Sequence, residues 1–228
     1  WTYLVADGPK FIVALANTFE ELPKARNALH QHLNRTVLNK GGDTSSSNTF
    51  IGRLQEALVA AEEAALLAFQ SVASMDISIS DKVEMNNNTT TGAHNDTLLV
   101  KSISLLIPNV VSSFARHENG EVRAATVSSL RRIVPTIIKA LTTFSDGSDL
   151  PIILIQQCTS VLFSHVPGFL LDKPPIPQYV VRMLSDLLSL DVPRSETLFS
   201  DICSHSIASA VVQLYRRQSS KDDEIKSN

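Results

Sequence analysis

One stretch limits what this chain can fold into more than any other. Residues 105–141, LLIPNVVSSFARHENGEVRAATVSSLRRIVPTIIKAL, read as two apolar helices separated by the polar turn His117-Glu118-Asn119-Gly120. Leu106, Ile107, Val110, Val111 and Phe114 keep to one helical face before the turn. Val122, Ala125, Thr126, Leu130, Ile133 and Ile137 do the same after it. A helix pair this apolar cannot cover itself alone and must stack on neighbouring helices.

Arg123 stands out on a helical wheel. At about 100° per residue, Val122, Leu130, Ile133, Val134, Ile137 and Leu141 fall within an arc of about 120°. Arg123 falls inside that arc, whereas Glu121, Ser128, Arg132 and Lys139 lie opposite. An arginine on an apolar face needs a carboxylate or free carbonyls for its donors. The favoured reading is a structural arginine that locks this hairpin against the next; the alternative is an arginine that binds a ligand.

Pro108 in the first helix, the polar turn, and Val122-Arg123 with Ala125, Leu130 and Ile133 in the second resemble a HEAT repeat. The resemblance implies an all-α fold, a right-handed α-solenoid of HEAT or armadillo type with about eight helices. It also implies that Arg123 pairs with an acidic residue of an adjoining turn. The segment KPPIPQYVVRMLSDLL, taken with this hairpin, is similar to the helical C-terminal region of Fused-type kinases and pseudokinases. That second resemblance implies a regulatory appendage whose enzyme lies elsewhere. Tubulin-binding modules built from HEAT repeats are a further alternative, although Trp1 stands alone and no run of tryptophan and lysine marks successive turns.

Composition fits such a fold. Of 228 residues, 43% are hydrophobic and 19% charged, the balance of an ordinary globular domain. Only 8 glycines occur, and β-branched residues fall mostly in segments of helical period, which favours helix over sheet. A net charge of −3 argues against nucleic acid, whose phosphates call for a basic excess. Cys158 and Cys203, in apolar helical contexts, read as buried reduced thiols in a cytoplasmic setting. No apolar run approaches the roughly 18 residues of a membrane span, so no membrane partner is expected. No signal peptide is evident, and a start at Trp1 without methionine reads as a segment cut from a larger protein.

Taken in order, residues 10–38 predict two helices or one bent one. Thr18-Phe19-Glu20-Glu21 fits a capping box, and Pro23 places the break between Ala16 and Pro23. Residues 39–48 read as a loop ending in a cap at Asn48, followed by a regular helix. Its seam is Ile51, Leu54, Leu58, Ala61, Ala65, Ala68, Val72 and Met75; Glu56, Glu63 and Gln70 form the wet face, with Glu62 at its edge. Residues 76–94 are polar, asparagine-rich and without period, and read as a long, disordered loop. Asn95 or Asp96 then caps the helix that brings Leu98, Leu99, Ile103 and Leu106 inward. Asp149 caps the next helix, apolar on every side over 152–166 and therefore packed on every side. Residues 167–177, with four prolines, read as an extended connector. Helices over 178–190 and 195–217 follow, and 218–228 reads as a charged, frayed tail.

Catalytic spacing is missing. The chain carries no glycine-rich phosphate loop, GxSxG, HExxH or paired CxxC. His30 and His32, like Cys203 and His205, are two apart and point to opposite sides of a helix, so they make poor metal partners. No metal or cofactor is expected, and the chain reads as a non-catalytic interaction scaffold rather than an enzyme. The candidate contact residues are Arg131, Arg132 and Lys139, on or beside the polar side of the second central helix, where an acidic protein surface could meet them. Arg216 and Arg217 could extend that patch.

Overall fold

The computed structural model describes residues 2–38, 45–75, 90–143, 149–190, 200 and 204–226. Among these, seven helices occur and no strand: α1 (Thr2–Leu38), α2 (Ser45–Ala73), α3 (Thr90–Phe114), α4 (Gly120–Thr143), α5 (Leu150–Leu170), α6 (Ile176–Leu188) and α7 (His205–Lys226). The fold is all-α. Helices α1, α3, α5 and α7 pack in series as one layer, and α2, α4 and α6 as a second. Each hairpin, α1–α2, α3–α4 and α5–α6, spans the two layers.

The core follows from the central hairpin. Ile103, Leu106, Ile107, Val110, Val111 and Phe114 of α3 are fully buried, as are Val127, Leu130, Val134, Ile137 and Ile138 of α4. Helix α3 meets α1, α4 and α5, and α4 meets α2, α3, α5 and α6, so both need apolar side chains around most of their circumference. At the α1–α2–α3 junction, Phe19 packs edge-on against Phe69 at 6.1 Å and Phe114 at 5.2 Å between ring centres.

Helix α1 does not break. It runs through both Pro9 and Pro23. Pro23 has no N–H to give the carbonyl of Phe19, four residues back. That carbonyl is answered instead by the Ser113 hydroxyl of α3, and Asn109 Nδ2 donates to Ala16 O at 3.2 Å nearby. The polar groups that would punish a proline inside a helix are thus satisfied from the neighbouring helix. Thr18 opens no new helix; its hydroxyl donates to Ala14 O at 3.0 Å, and Glu21 pairs with Lys24.

Helix α2 begins at Ser45, so Asn48 lies inside it rather than capping it. Its buried side is centred on Glu62, Ala65, Leu66, Phe69, Val72 and Ala73, about 60° around from the alanine seam. Leu54 and Ala61 of that seam are exposed. Helix α3 starts at Thr90, ahead of both Asn95 and Asp96, and Leu98 is exposed rather than inward. The rest of the long polar stretch, 76–89, lies outside the described residues.

Asp149 occupies the N-cap position of α5 without a side-chain bond to the first turn, and Pro151 sits where a missing N–H is harmless. Helix α5 is long and apolar enough to cross a membrane by length and composition, which the short apolar runs did not suggest. It nevertheless packs on α3, α4, α6 and α7, burying Leu154, Ile155, Cys158, Leu162, Phe163 and Val166. Packing is not all round: Leu150 and Ile153 stay exposed. Burial pushes the Cys158 thiol up to about 12, so it stays protonated and unreactive near neutrality. Cys203 lies outside the described residues.

The proline-rich stretch is mostly helical. Helix α5 continues through Pro167 to Leu170, and α6 opens with Pro177 in its first turn, leaving a tight turn over 171–175. A proline in the first turn of a helix costs little, because the N–H it lacks would have no partner there, whereas Pro167 falls inside α5. Helix α7 begins at His205 and continues to Lys226, so most of the stretch read as a frayed tail is helical.

Candidate functional site

A chain of polar contacts runs along the turn end of the hairpins. It starts at Arg26 of α1, which donates from Nε to Glu62 Oε1 of α2 at 2.9 Å and makes a second, shorter contact through Nη2. Only 8% of the Glu62 side chain is exposed. Its other oxygen, Oε2, lies 3.0 Å from His117 Nε2 in the α3–α4 turn. The backbone N–H of Asn119 donates to His117 Nδ1 at 3.1 Å, which puts the ring proton on Nε2, where Glu62 accepts it. The His117 ring also stands edge-on to Phe114, 5.7 Å between centres, so the turn is pinned from both its polar and apolar sides.

Arg123 carries the chain onward. Its Nε and Nη2 donate to Asp172 Oδ2 and Oδ1 at 2.7 and 2.9 Å, a two-pronged pair across to the α5–α6 turn. Its Nη1 donates to the carbonyls of His117 at 2.5 Å and Glu118 at 3.0 Å, which follow the end of α3. One guanidinium therefore holds two turns together, on an otherwise apolar helix face. Farther along, Arg217 Nη1 of α7 donates to Leu171 O at 2.9 Å.

The Arg123 guanidinium bonded to it holds the Asp172 carboxyl below its ordinary value of 3.8; the Lys173 backbone N–H acts in the same sense. Below that value the unfolded chain takes up the proton before the folded one does, so this contribution is complete above pH 3.8 and is lost as pH falls below it. Asp172→Asn is expected to cost about 1–2 kcal/mol near neutrality, because the arginine keeps a poorer acceptor. Urea midpoints of the two proteins should converge in acid. A gap that stays constant with pH would show that Arg123 does not depend on the charge at 172.

The cations singled out on α4 sit elsewhere. Arg132 and Lys139 are exposed and Arg131 is half-buried. Among the described residues none of the three has an acidic partner. The structure does not bring them to Arg123, whose side chain belongs to the turn end. Nor does it bring histidines together: His30, His32 and His205 are exposed, and His165 Nδ1 faces Val161 O of its own helix at 3.0 Å. No group of three or more potential metal ligands forms among the described residues.

Two recesses flank the polar chain. The smaller, about 270 Å³, lies between α1, α2 and the α3–α4 turn, with Arg26, Glu62 and His117 beside Leu29, Leu33, Leu58 and Val59. The larger, about 670 Å³, lies between the α5–α6 turn and α7. Sequence reading missed Glu62, because the alanine spacing of α2 drew the seam past it; Leu66 and Phe69, one turn on, were the signal that the buried side lay farther round. Asp172 was missed because it sits among prolines read as an extended connector. Comparison with family models, with curated proteins and with solved structures returned no match for this chain.

Proposed function

We propose that this chain is a non-catalytic protein-interaction scaffold: a right-handed α-solenoid of HEAT or armadillo type, in a cytoplasmic setting, that meets an acidic protein surface through its second layer of helices. The serial packing of first helices on first helices and second on second supports the solenoid reading, as does the Arg123–Asp172 tie between neighbouring turns. What carries the binding reading is α4. It is the middle helix of the second layer, and it presents Arg132 and Lys139 outward, two turns apart, beside Arg131, with no acidic partner among the described residues. Unpaired cations spaced along one exposed helix face attract an acidic surface and select against a basic one.

The test is a pull-down comparing the wild-type chain with Arg131→Glu/Arg132→Glu/Lys139→Glu, after circular dichroism has shown equal helicity. Specific partners are expected to fall at least about tenfold in the variant and to weaken with added salt in the wild type. Partners recovered equally by both proteins would overturn the assignment of α4.

A further inference from the structure

The larger recess has a chemistry of its own. Its floor is apolar, formed by Leu171, Pro177 and Leu214. Lys173 stands on the wall made by the α5–α6 turn, and Arg216 and Arg217 stand on the facing wall made by α7. The one acid in its lining, Asp172, is already engaged by Arg123, which lies outside the recess. Three cations therefore face the opening against a single carboxylate, which Arg123 already holds and Lys173 also attracts.

The local sequence explains why they stay bare. Residues three and four away from Arg216 on its helix are Val212, Gln213, Ser219 and Ser220; those around Arg217 are Gln213, Leu214, Ser220 and Lys221. None is acidic, so neither arginine has a carboxylate at the spacing that forms pairs along a helix. Among the described residues neither Arg216 nor the Lys173 side chain makes an ion pair. Arg217 gives one N–H to Leu171 O, which fixes the walls relative to each other and leaves donors to spare.

We propose that this recess binds an acidic, extended peptide of a partner protein, seating an apolar residue on Leu171 and Leu214 and carboxylates at Lys173, Arg216 and Arg217. Its volume is within the range of about 300–1,000 Å³ for ligand sites, and its mix of apolar floor and few polar groups is what such sites share. Gln178 and Gln218, also in the lining, each carry both donors and an acceptor. Those groups suit a peptide backbone, which has an N–H and a C=O to satisfy. A phosphodiester group only accepts, and would engage the amide N–H groups alone. The site is separate from the α4 face and stands or falls independently of it.

The experiment selects binders to the whole chain from a random peptide display library, then measures the enriched peptides by fluorescence anisotropy. Enriched peptides are expected to carry an excess of Asp and Glu around an apolar residue. Their binding should weaken at least about tenfold in Lys173→Glu/Arg216→Glu and remain unchanged in Arg131→Glu/Arg132→Glu/Lys139→Glu. Among the described residues neither Lys173 nor Arg216 makes a side-chain hydrogen bond or ion pair, so the double variant should stay folded, its melting temperature lowered only by the lost attraction between Lys173 and Asp172; Arg217, which donates to Leu171 O, is left alone. Library peptides with no acidic excess, no enrichment at all, or acidic peptides indifferent to the double variant would each overturn the proposal. Phosphatidylserine vesicles that co-sediment with the wild type and not with the double variant, in the absence of any peptide selection, would replace it with a lipid headgroup. Acidic peptides lost only in the α4 variant would instead uphold the α4 face and remove this recess.

Discussion

Replacing Phe19 with alanine is expected to cost about 4 kcal/mol, a large share of the roughly 5–15 kcal/mol that holds an ordinary domain together. Phe19 is fully buried where α1, α2 and α3 meet, in edge-on contact with both Phe69 and Phe114. Three separate helices lose packing partners at once, and the neighbours cannot all move in to fill the gap. Two comparisons separate this from a general effect of removing phenylalanine. Phe11, on the same helix but 42% exposed, should cost less than about 1 kcal/mol when changed to alanine. The double variant of Phe19 and Phe69 should be less damaging than the sum of the singles by about 0.5–1.5 kcal/mol, the coupling of an aromatic pair. Urea unfolding followed by far-ultraviolet circular dichroism measures the wild type and all four variants. A loss at Phe19 no larger than that at Phe11 would mean that the three helices are not packed through this ring.

The central hairpin was legible because its pattern repeats what its position demands. Leu106, Val110, Phe114, Leu130, Ile133 and Ile137 recur at helical spacing and are buried in the folded chain. Arg123 was legible for the opposite reason, as a charge where the period called for an apolar residue. What the spacing could not provide was the partner, since Asp172 lies 49 residues away and is set beside Arg123 only by the packing of α4 on α6. Long-range pairs of this kind leave no local trace.

Prolines misled the reading wherever their missing donor is answered from elsewhere. Pro23 looked like a break because one helix alone has no substitute for its N–H. The substitute is Ser113, 94 residues from Phe19, whose hydroxyl would have read as a neutral surface group. Pro167 and Pro177 looked like an extended connector, yet one is absorbed near the end of α5 and the other opens α6. On α2 the fault was different: alanines are small enough to sit on either side of a packed helix, so a regular row of them fixes no orientation. Phe69 sets it in the fold, fully buried and edge-on to Phe19 of α1.

Removing Glu62 is the change that tests the polar chain. Glu62→Ala leaves the Arg26 guanidinium, only 23% exposed, without its carboxylate and leaves His117 Nε2–H without its acceptor. Loss of one partner from a buried ion pair costs about 3 kcal/mol, more than the net worth of the pair, because the stranded charge has already given up its water. The same reasoning gives a second, contrasting expectation. When Arg26→Met, Glu62→Leu and His117→Leu are combined, no charge is stranded, and most of that loss should return, since an apolar set of similar volume is often as stable as a buried ion pair. Chemical denaturation of the single and triple variants measures both. If the triple variant is as unstable as Glu62→Ala, the cluster contributes through geometry: Glu62 holds the α3–α4 turn through His117, and the turn carries the His117 and Glu118 carbonyls that Arg123 grips. Circular dichroism at equal denaturant, with Arg123→Ala as a further background, then distinguishes the two. A turn held by Glu62 makes the effects of Glu62→Ala and Arg123→Ala less than additive, whereas a stranded charge at Arg26 leaves them additive.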